Sequence, residues 1–210
     1  MTPELEEYIE NHISPEPDYL KKIDRETNLY QLNGRMCSGH VQGRLLKMIT
    51  SMINPSRVIE LGTFTGYSAL CIAEALMPTS RIVTIESDDE LKDTIISNLS
   101  SSPHGEKVEL RIGDALTIMD SFTDNSFDMG IIDADKREYP RYLKKMLRLI
   151  KPGGFILADN TLWDGHVTES CRHTSQTEGI IEFNNLAVAD PDLEVAIIPL
   201  RDGLTIIRKR

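Results

Sequence analysis

Short apolar runs alternate with longer amphipathic stretches along the chain from residue 57 onward. Runs rich in β-branched residues predict strands, and apolar residues spaced three or four positions apart predict helices. The predicted strands are residues 58–61, 81–85, 108–112, 127–132 and 155–158. The predicted helices between and after them are residues 67–76, 88–99, 115–120 and 139–150. This alternation indicates an α/β fold, a doubly wound parallel sheet with right-handed crossovers.

The N-terminal region has a helical pattern instead. Thr2 is suited to cap a short first helix, and residues 19–30 form a second amphipathic stretch. A third helix is predicted for residues 41–53, and its apolar side is expected to contain Leu45, Leu46, Met48 and Ile49. We expect residues 1–55 to form a helical cap on a core made by residues 56–210, all within one domain.

The C-terminal region predicts a change in strand direction. A helix over residues 177–188 precedes strands at residues 193–199 and 204–207. The link between these two strands is too short for a parallel crossover but suits an antiparallel hairpin. The sheet should therefore be mixed, with a reversed strand inserted near one edge.

Composition and charge exclude several classes of protein. The 210-residue chain has a net charge of −10, which argues against binding to nucleic acid or to anionic membranes. Its apolar runs are all shorter than the roughly 20 residues needed to span a bilayer, and its start is acidic, unlike a signal peptide. Cys37, Cys71 and Cys171 form no CxxC pair, and the histidines show no HExxH spacing. We expect a cytoplasmic protein with free thiols and no zinc or iron site.

Polar residues follow two of the apolar runs directly. Asp133 and Lys136 follow residues 129–132, and Asp159 and Asn160 follow residues 155–158. In an open parallel sheet the carboxyl ends of the strands form the ligand-binding edge. Two carboxylates and an amide there could hold Mg²⁺, Ca²⁺ or Mn²⁺, or could merely cap the next helix or turn. From its spacing alone, Lys136 could equally be a general base or a solvated lysine.

A glycine turn follows the first predicted strand. Gly62 and Gly66 lie between that strand and the next helix, where free backbone amides can meet a ligand, although an ordinary strand-to-helix turn explains them equally well. Glu86 ends the second strand, where an acid can bind ribose hydroxyls or cap a helix. The third strand ends in a further tight turn with Asp114 and Ala115, which could flank a purine ring.

The motifs ELGTFTGYSAL, GDA, DADK, KPGG and DNTLWDG occur here in an order and spacing that resemble the cation-dependent O-methyltransferases of the caffeoyl-CoA and catechol type. The resemblance extends from about residue 31 to residue 210. It implies an S-adenosylmethionine-dependent, Rossmann-like methyltransferase fold with seven strands, the last pair reversed, and a homodimer. It also implies that a divalent cation, Mg²⁺ in the first instance, is bound by Asp133, Asp159 and Asn160.

The resemblance assigns further roles residue by residue. Lys136 would accept the proton of the hydroxyl that is methylated, and Asp133 would also border the cofactor. Glu86 would bind the ribose hydroxyls. The residues expected to line the rest of the cofactor are Glu60, Gly62, Thr63, Tyr67 and Ser68 at its methionine and ribose portion, Asp114 and Ala115 at adenine, and Met36 in a segment that closes over it.

The acceptor is a small phenol in the preferred interpretation. Trp163 could form a wall of an aromatic slot or fill the core, and Asp164 stands where the similar plant enzymes carry a substrate-contacting asparagine. His166 and Arg172 are candidate rim residues. The chain lacks the basic N-terminal segment of the plant enzymes, and its negative charge disfavours a CoA thioester. A catechol-like substrate is therefore preferred over a hydroxamate, a flavonoid or an acyl-CoA phenol. The alternative from another class is a non-catalytic nucleotide-binding module.

Overall fold

The computed structural model describes residues 2–170 and 173–210, and within them the strands form one seven-stranded sheet in the order β3-β2-β1-β4-β5-β7-β6. Strands β1 to β5 run parallel, and β7 lies antiparallel between β5 and β6. The strands are β1 Arg57–Leu61, β2 Arg81–Glu86, β3 Val108–Ile112, β4 Phe127–Ile132, β5 Ile150–Asp159, β6 Leu193–Ile198 and β7 Leu204–Lys209. The predicted mixed sheet with a reversed C-terminal strand is confirmed.

The helices agree with the predicted pattern to within a few residues. They are α1 Pro3–Asn11, α2 Asp18–Tyr30, α3 Gly39–Ile53, α4 Tyr67–Ala75, α5 Lys92–Ser101, α6 Ala115–Asp120, α7 Tyr139–Leu149 and α8 Ser175–Ala189. Short 3₁₀ helices occupy Gly34–Met36, Asp89–Leu91, Gly105–Lys107, Lys136–Glu138 and Trp163–Thr168. Among the helices in the described part of the chain, none is long and apolar enough to cross a membrane.

Three details of the prediction were wrong. Strand β5 begins at Ile150 and not at residue 155, because Ile150 pairs with Phe127 before the register shifts, and Phe155 then pairs with Met129. The helix predicted for residues 88–99 is divided into the 3₁₀ helix Asp89–Leu91 and α5. Met48 is 62% exposed, so the buried side of α3 is formed by Leu46 and Ile49 without it.

Helices cover both faces of the sheet and leave the carboxyl edge of its parallel strands to loops. On one face, Tyr139 and Met146 of α7 and Phe183 of α8 join the largest apolar cluster. On the other face, α3 and α4 pack on the sheet through Leu46 and Ile72, among others. Helix α2 packs against α4 in a third cluster, so part of the N-terminal cap rests on the helix that follows the glycine turn.

Candidate active site

The glycine turn and the start of the DADK segment are in direct backbone contact. Strands β1 and β4 are neighbours, and the backbone N–H of Asp133 donates to the carbonyl of Leu61 at 2.9 Å. Gly62 has a φ of +92°, and a Cβ atom at this position would lie 1.8 Å from the backbone oxygen of Asp133. A side chain there is excluded both by conformation and by space. Glycine at this position therefore lets the two predicted halves of the site share one edge of the sheet.

Glu86 holds the glycine turn in place. Its carboxylate accepts hydrogen bonds from the backbone N–H groups of Thr63 at 3.1 Å and Phe64 at 2.7 Å, and also from that of Asp88 at 3.0 Å. The first two contacts show that Glu86 does more than begin the following helix. Glu86 thus lies beside the turn, and the ribose role stays a prediction.

Glu60 is a fully buried carboxylic acid beneath the same turn. Its two oxygens accept hydrogen bonds from Ser68 Oγ at 2.7 Å and Thr84 Oγ1 at 2.5 Å, and Thr84 Oγ1 lies 2.6 Å from Thr63 Oγ1. Burial raises the pKa of Glu60 to about 7, and the negative charges of Asp133 and Glu86 add to the increase, while the two hydroxyl groups oppose it. The cluster would therefore be stabilised by a cationic ligand group.

Asp133 and Lys136 form a partly buried ion pair, with Lys136 Nζ 2.8 Å from Asp133 Oδ1. Lys136 Nζ also donates to the hydroxyl of Tyr139 at 2.9 Å, and that hydroxyl lies 2.9 Å from the backbone oxygen of Asp159. Burial disfavours the ammonium form of Lys136, but Asp133 and Tyr139 outweigh burial and raise its pKa above the ordinary value. In this arrangement Lys136 is a protonated ammonium group.

Asp159 and Asn160 are held by partners from distant parts of the chain. Asp159 Oδ2 accepts from the amide of Gln42 at 2.6 Å, and Asp159 Oδ1 accepts from the backbone N–H of Asn160 at 2.8 Å. The side-chain amide of Asn160 donates to Asp202 Oδ2 at 3.3 Å. Burial raises the pKa of Asp159, and the charge of Asp133 raises it further.

The oxygen atoms at this edge suit a hard divalent cation. Asp133 and Asp159 are close enough for the charge of one to raise the pKa of the other, so a cation shared between them would relieve their repulsion. Two carboxylates and the amide of Asn160 are the ligand types that Mg²⁺ and Ca²⁺ prefer. In residues 2–170 and 173–210 no group of three or more His, Cys, Asp or Glu side chains could hold a metal ion, so the amide would have to complete the set.

The other predicted residues differ in burial and in their hydrogen-bond partners. Asp114 caps α6 by accepting from the backbone N–H of Thr117 at 2.8 Å. Tyr67 is buried and its hydroxyl donates to Glu16 in the N-terminal cap. The remaining ones are Ala115, which is buried in the main core, Met36 and Asp164, which are exposed, and Trp163, which packs partly buried against that core. Cys171 and the candidate rim residue Arg172 lie outside the described residues, whereas His166 is exposed and 2.8 Å from Glu169.

Sequence reasoning missed three contributors to the site. Tyr139 was expected to serve in packing, and its ring is indeed fully buried, but its hydroxyl also joins Lys136 to the end of β5. Its position three residues after Lys136 was the available signal. Gln42 and Asp202 lie far from Asp159 and Asn160 in sequence and carry no local motif that indicates their contacts.

Comparisons with known proteins identify the family to which the chain belongs. A family model described as O-methyltransferase matches residues 10–210. Caffeoyl-CoA O-methyltransferases from Petroselinum crispum and Eucalyptus gunnii are 31% and 32% identical to this chain; both alignments cover 98% of it, and 90% and 87% of the relatives. The chain therefore belongs to the O-methyltransferase family, and it is an enzyme.

Solved structures confirm the predicted methyltransferase fold. An O-methyltransferase from Bacillus cereus in complex with SAH is 25% identical with a TM-score of 0.91, over 99% of this chain and 97% of that one. An O-methyltransferase from Streptomyces achromogenes in complex with SAM is 26% identical with a TM-score of 0.90, over 100% and 99% of the two chains.

Replacing Gly62 by alanine should disrupt the shared edge. Both the positive φ and the clash with Asp133 oppose a Cβ atom, so we expect Gly62→Ala to lower the free energy of unfolding by about 2–4 kcal/mol. Gly153→Ala is a matched control, because Gly153 has a φ of +82° and nothing within 4 Å of the added Cβ. The free energy of unfolding of the control, measured with urea, should fall by only about 1 kcal/mol. Equal losses in the two variants would show that the contact with Asp133 is unimportant.

Glu60 should make the ligand-free enzyme less stable as pH rises. Its folded-state pKa of about 7 exceeds its ordinary value of 4.5, so the folded state binds the proton more tightly. The stability due to this proton is complete below pH 4.5 and is lost as pH rises through 7. Glu60→Gln should remove roughly 2–3 kcal/mol of the decrease in unfolding free energy between pH 5 and 8. Urea unfolding at pH 5 and pH 8 measures this change in unfolding free energy. The variant Glu109→Gln, at an exposed site, controls for the loss of one carboxylate. Identical pH slopes for wild type and Glu60→Gln would contradict the prediction.

Proposed function

We propose that this enzyme transfers a methyl group from S-adenosylmethionine to a hydroxyl of a small catechol-like aromatic compound, with the help of a divalent cation. The observation that carries the proposal is the convergence of Asp133, Lys136 and Asp159 at one edge of the sheet, beside the glycine turn. Family membership supports methyl transfer to oxygen. The proposals for the acceptor and for the cation depend on the chemistry of the site residues.

The cofactor would lie across the ends of β1 and β2. A sulfonium cofactor carries positive charge, and Glu60, Glu86 and Asp133 supply negative charge around the turn. The solved relatives in complex with SAM and SAH support the same ligand here. Asp114, Ala115 and Met36 are proposed to border the rest of the cofactor, as the resemblance implies.

Asp133, Asp159 and Asn160 would hold the cation, Mg²⁺ in the first instance and Ca²⁺ or Mn²⁺ otherwise. Such an ion, when bound, supplies Lewis acidity that lowers the pKa of a hydroxyl. Gln42 and the backbone N–H of Asn160 already orient the Asp159 carboxylate by hydrogen bonds of 2.6 and 2.8 Å. The Asp202 carboxylate fixes the amide group of Asn160.

Lys136 is the proposed acceptor of the substrate proton at its Nζ atom. Its position supports this role, because Asp133 and Tyr139 fix Nζ within 2.8 and 2.9 Å of their oxygens. Because Lys136 is an ammonium group in the ligand-free enzyme, it could accept a proton only after losing its own, and a cation held by Asp133 would favour that loss by disfavouring the ammonium form. Trp163 and Asp164 follow the Asn160 turn directly and are proposed to border the acceptor.

A second acceptor class has its own support. The curated relatives at 31–32% identity are caffeoyl-CoA O-methyltransferases, which favours an acyl-CoA phenol. The net charge of −10 opposes a polyanionic thioester and favours the free catechol. A flavonoid or a hydroxamate also offers two adjacent oxygens. The assay below separates these acceptors.

A homodimer and a cytoplasmic location are also proposed for this enzyme. Exposed apolar side chains at the end of α2 and in the following segment, namely Leu29, Tyr30 and Leu32, support a contact between subunits.

The first functional test is a panel of acceptors assayed with S-adenosylmethionine and Mg²⁺. Formation of S-adenosylhomocysteine is followed by chromatography with catechol, a catechol flavonoid, caffeoyl-CoA and a hydroxamate. We expect the highest kcat/KM with the small catechol, loss of activity in EDTA and recovery with Mg²⁺ or Mn²⁺.

Asp159→Ala should lose turnover but still bind S-adenosylmethionine. Full activity of a metal-free preparation would contradict cation dependence, and turnover of caffeoyl-CoA alone would support the second acceptor class.

The second test concerns Lys136. Lys136→Ala should lower kcat on catechol by roughly 10²–10⁴-fold, the usual effect of losing a positioned proton acceptor. The Kd for S-adenosylmethionine, measured by calorimetry, should hardly change. The loss should be smaller with nitrocatechols, since their hydroxyls ionise more readily. Lys144→Ala, on the exposed side of α7, is the control; near-normal kcat in Lys136→Ala would show that Lys136 is not the base.

A further inference from the structure

Arg201 joins the C-terminal hairpin to the segment that precedes α3. It lies in the turn between β6 and β7, and its guanidinium group donates to the backbone carbonyls of Arg35 at 3.0 Å, Cys37 at 2.9 Å and Ser38 at 2.5 Å. These residues belong to the 35–38 segment, which includes Met36. A single arginine side chain thus contacts three carbonyls of a segment more than 160 residues away in sequence.

The backbone of Arg201 is in a conformation that disfavours its own side chain. Its φ is +49°, in the left-handed region where glycine or asparagine would be less strained. A residue kept in such a conformation indicates a use for its side chain. The neighbouring Gly203 also has a positive φ, but there a Cβ atom would lie 2.5 Å from the side chain of Leu162, so space already requires glycine. At Arg201 the contacts of the guanidinium group are the evident use.

The same guanidinium group reaches toward a predicted cation ligand through Gln42. Arg201 Nη1 lies 3.5 Å from Gln42 Oε1, and Gln42 Nε2 donates to Asp159 Oδ2 at 2.6 Å. Gln42 is buried in the first turns of α3. The position of the junction between the 35–38 segment and α3 therefore affects two groups. One is the Gln42 amide that orients Asp159, and the other is Met36.

We propose that Arg201 is a positioning residue that fixes the 35–38 segment and the start of α3 against the active-site edge, and thereby raises affinity for the cofactor. It does not touch the reacting atoms. This inference rests on the proposed function for its cofactor part, whereas the fixing of the segment can be measured without any ligand. The competing explanation is that Arg201 merely stabilises the fold.

Three substitutions separate these explanations. Arg201→Ala removes the contacts, Arg201→Lys keeps the charge and part of the donor capacity, and Arg201→Gly removes the contacts while also relieving the backbone conformation. Arg208→Ala is the matched control, because Arg208 lies on β7 of the same hairpin, is exposed and forms an ion pair with Glu194 at 3.6 Å. Hydrogen exchange of the amides of residues 36–43 reports on the segment, and calorimetry gives the Kd for S-adenosylhomocysteine.

In the proposed role, Arg201→Ala and Arg201→Gly should increase exchange of residues 36–43 at least about tenfold over Arg208→Ala. Both should weaken S-adenosylhomocysteine binding about tenfold, the scale expected for one charged hydrogen bond. Arg201→Lys should lie in between. Arg201→Gly should melt no lower than Arg201→Ala, because glycine accepts the positive φ.

Several results would overturn the proposal. Unchanged exchange in Arg201→Ala would show that the contacts do not hold the segment. Faster exchange with an unchanged Kd would show a structural role without consequence for the cofactor. Recovery of affinity in Arg201→Gly, which also lacks the contacts, would show that the conformation of the turn, and not the guanidinium contacts, determines the affinity. If the wild-type enzyme does not bind S-adenosylhomocysteine, the proposed function itself is contradicted, and the cofactor part of this inference with it.

Discussion

The contact between Gly62 and the backbone oxygen of Asp133 is the constraint on which the rest of the site depends. It joins the ends of β1 and β4, which carry the glycine turn and the DADK segment. Because both segments leave the sheet at the same edge, Glu86 can organise one and Lys136 the other within a single site. A Cβ atom at position 62 would clash with the backbone oxygen of Asp133, so backbone geometry couples the proposed cofactor and cation positions, in addition to the Asp133 side chain that both are proposed to share.

The second constraint is charge. The carboxyl groups of Glu60, Glu86, Asp133 and Asp159 gather at this edge, and the pKa values of Glu60 and Asp159 are raised by burial and by their acidic neighbours. Lys136 offsets part of this charge through its ion pair with Asp133. Burying like charges together opposes folding, and the cationic groups of the proposed ligands would offset this cost. A sulfonium cofactor and a divalent cation are two such groups.

The sequence predicted local features well and distant contacts poorly. Short apolar runs and helical patterns located nearly every strand and helix, and the short link after β6 predicted the reversed strand. The predicted start of strand β5 was too late in the chain, because the lysine, proline and two glycines after Ile150 resemble a turn. In the structure Ile150 already pairs with Phe127. Gln42 is 117 positions from Asp159, and Arg201 is 166 from Arg35. Such contacts depend on tertiary packing, which no local pattern of one sequence encodes.

Those distant contacts explain how the N-terminal cap becomes part of the site. Thr27 of α2 donates to Thr65 in the glycine turn at 2.9 Å, and Tyr67 donates to Glu16 just before α2. Gln42 of α3 donates to Asp159 at the end of β5. The cap is therefore held by polar contacts at the two strand ends that carry the proposed cofactor and cation residues. Hydrogen bonds depend on distance and direction far more strongly than apolar packing does, so a small displacement of the cap alters both halves of the site together.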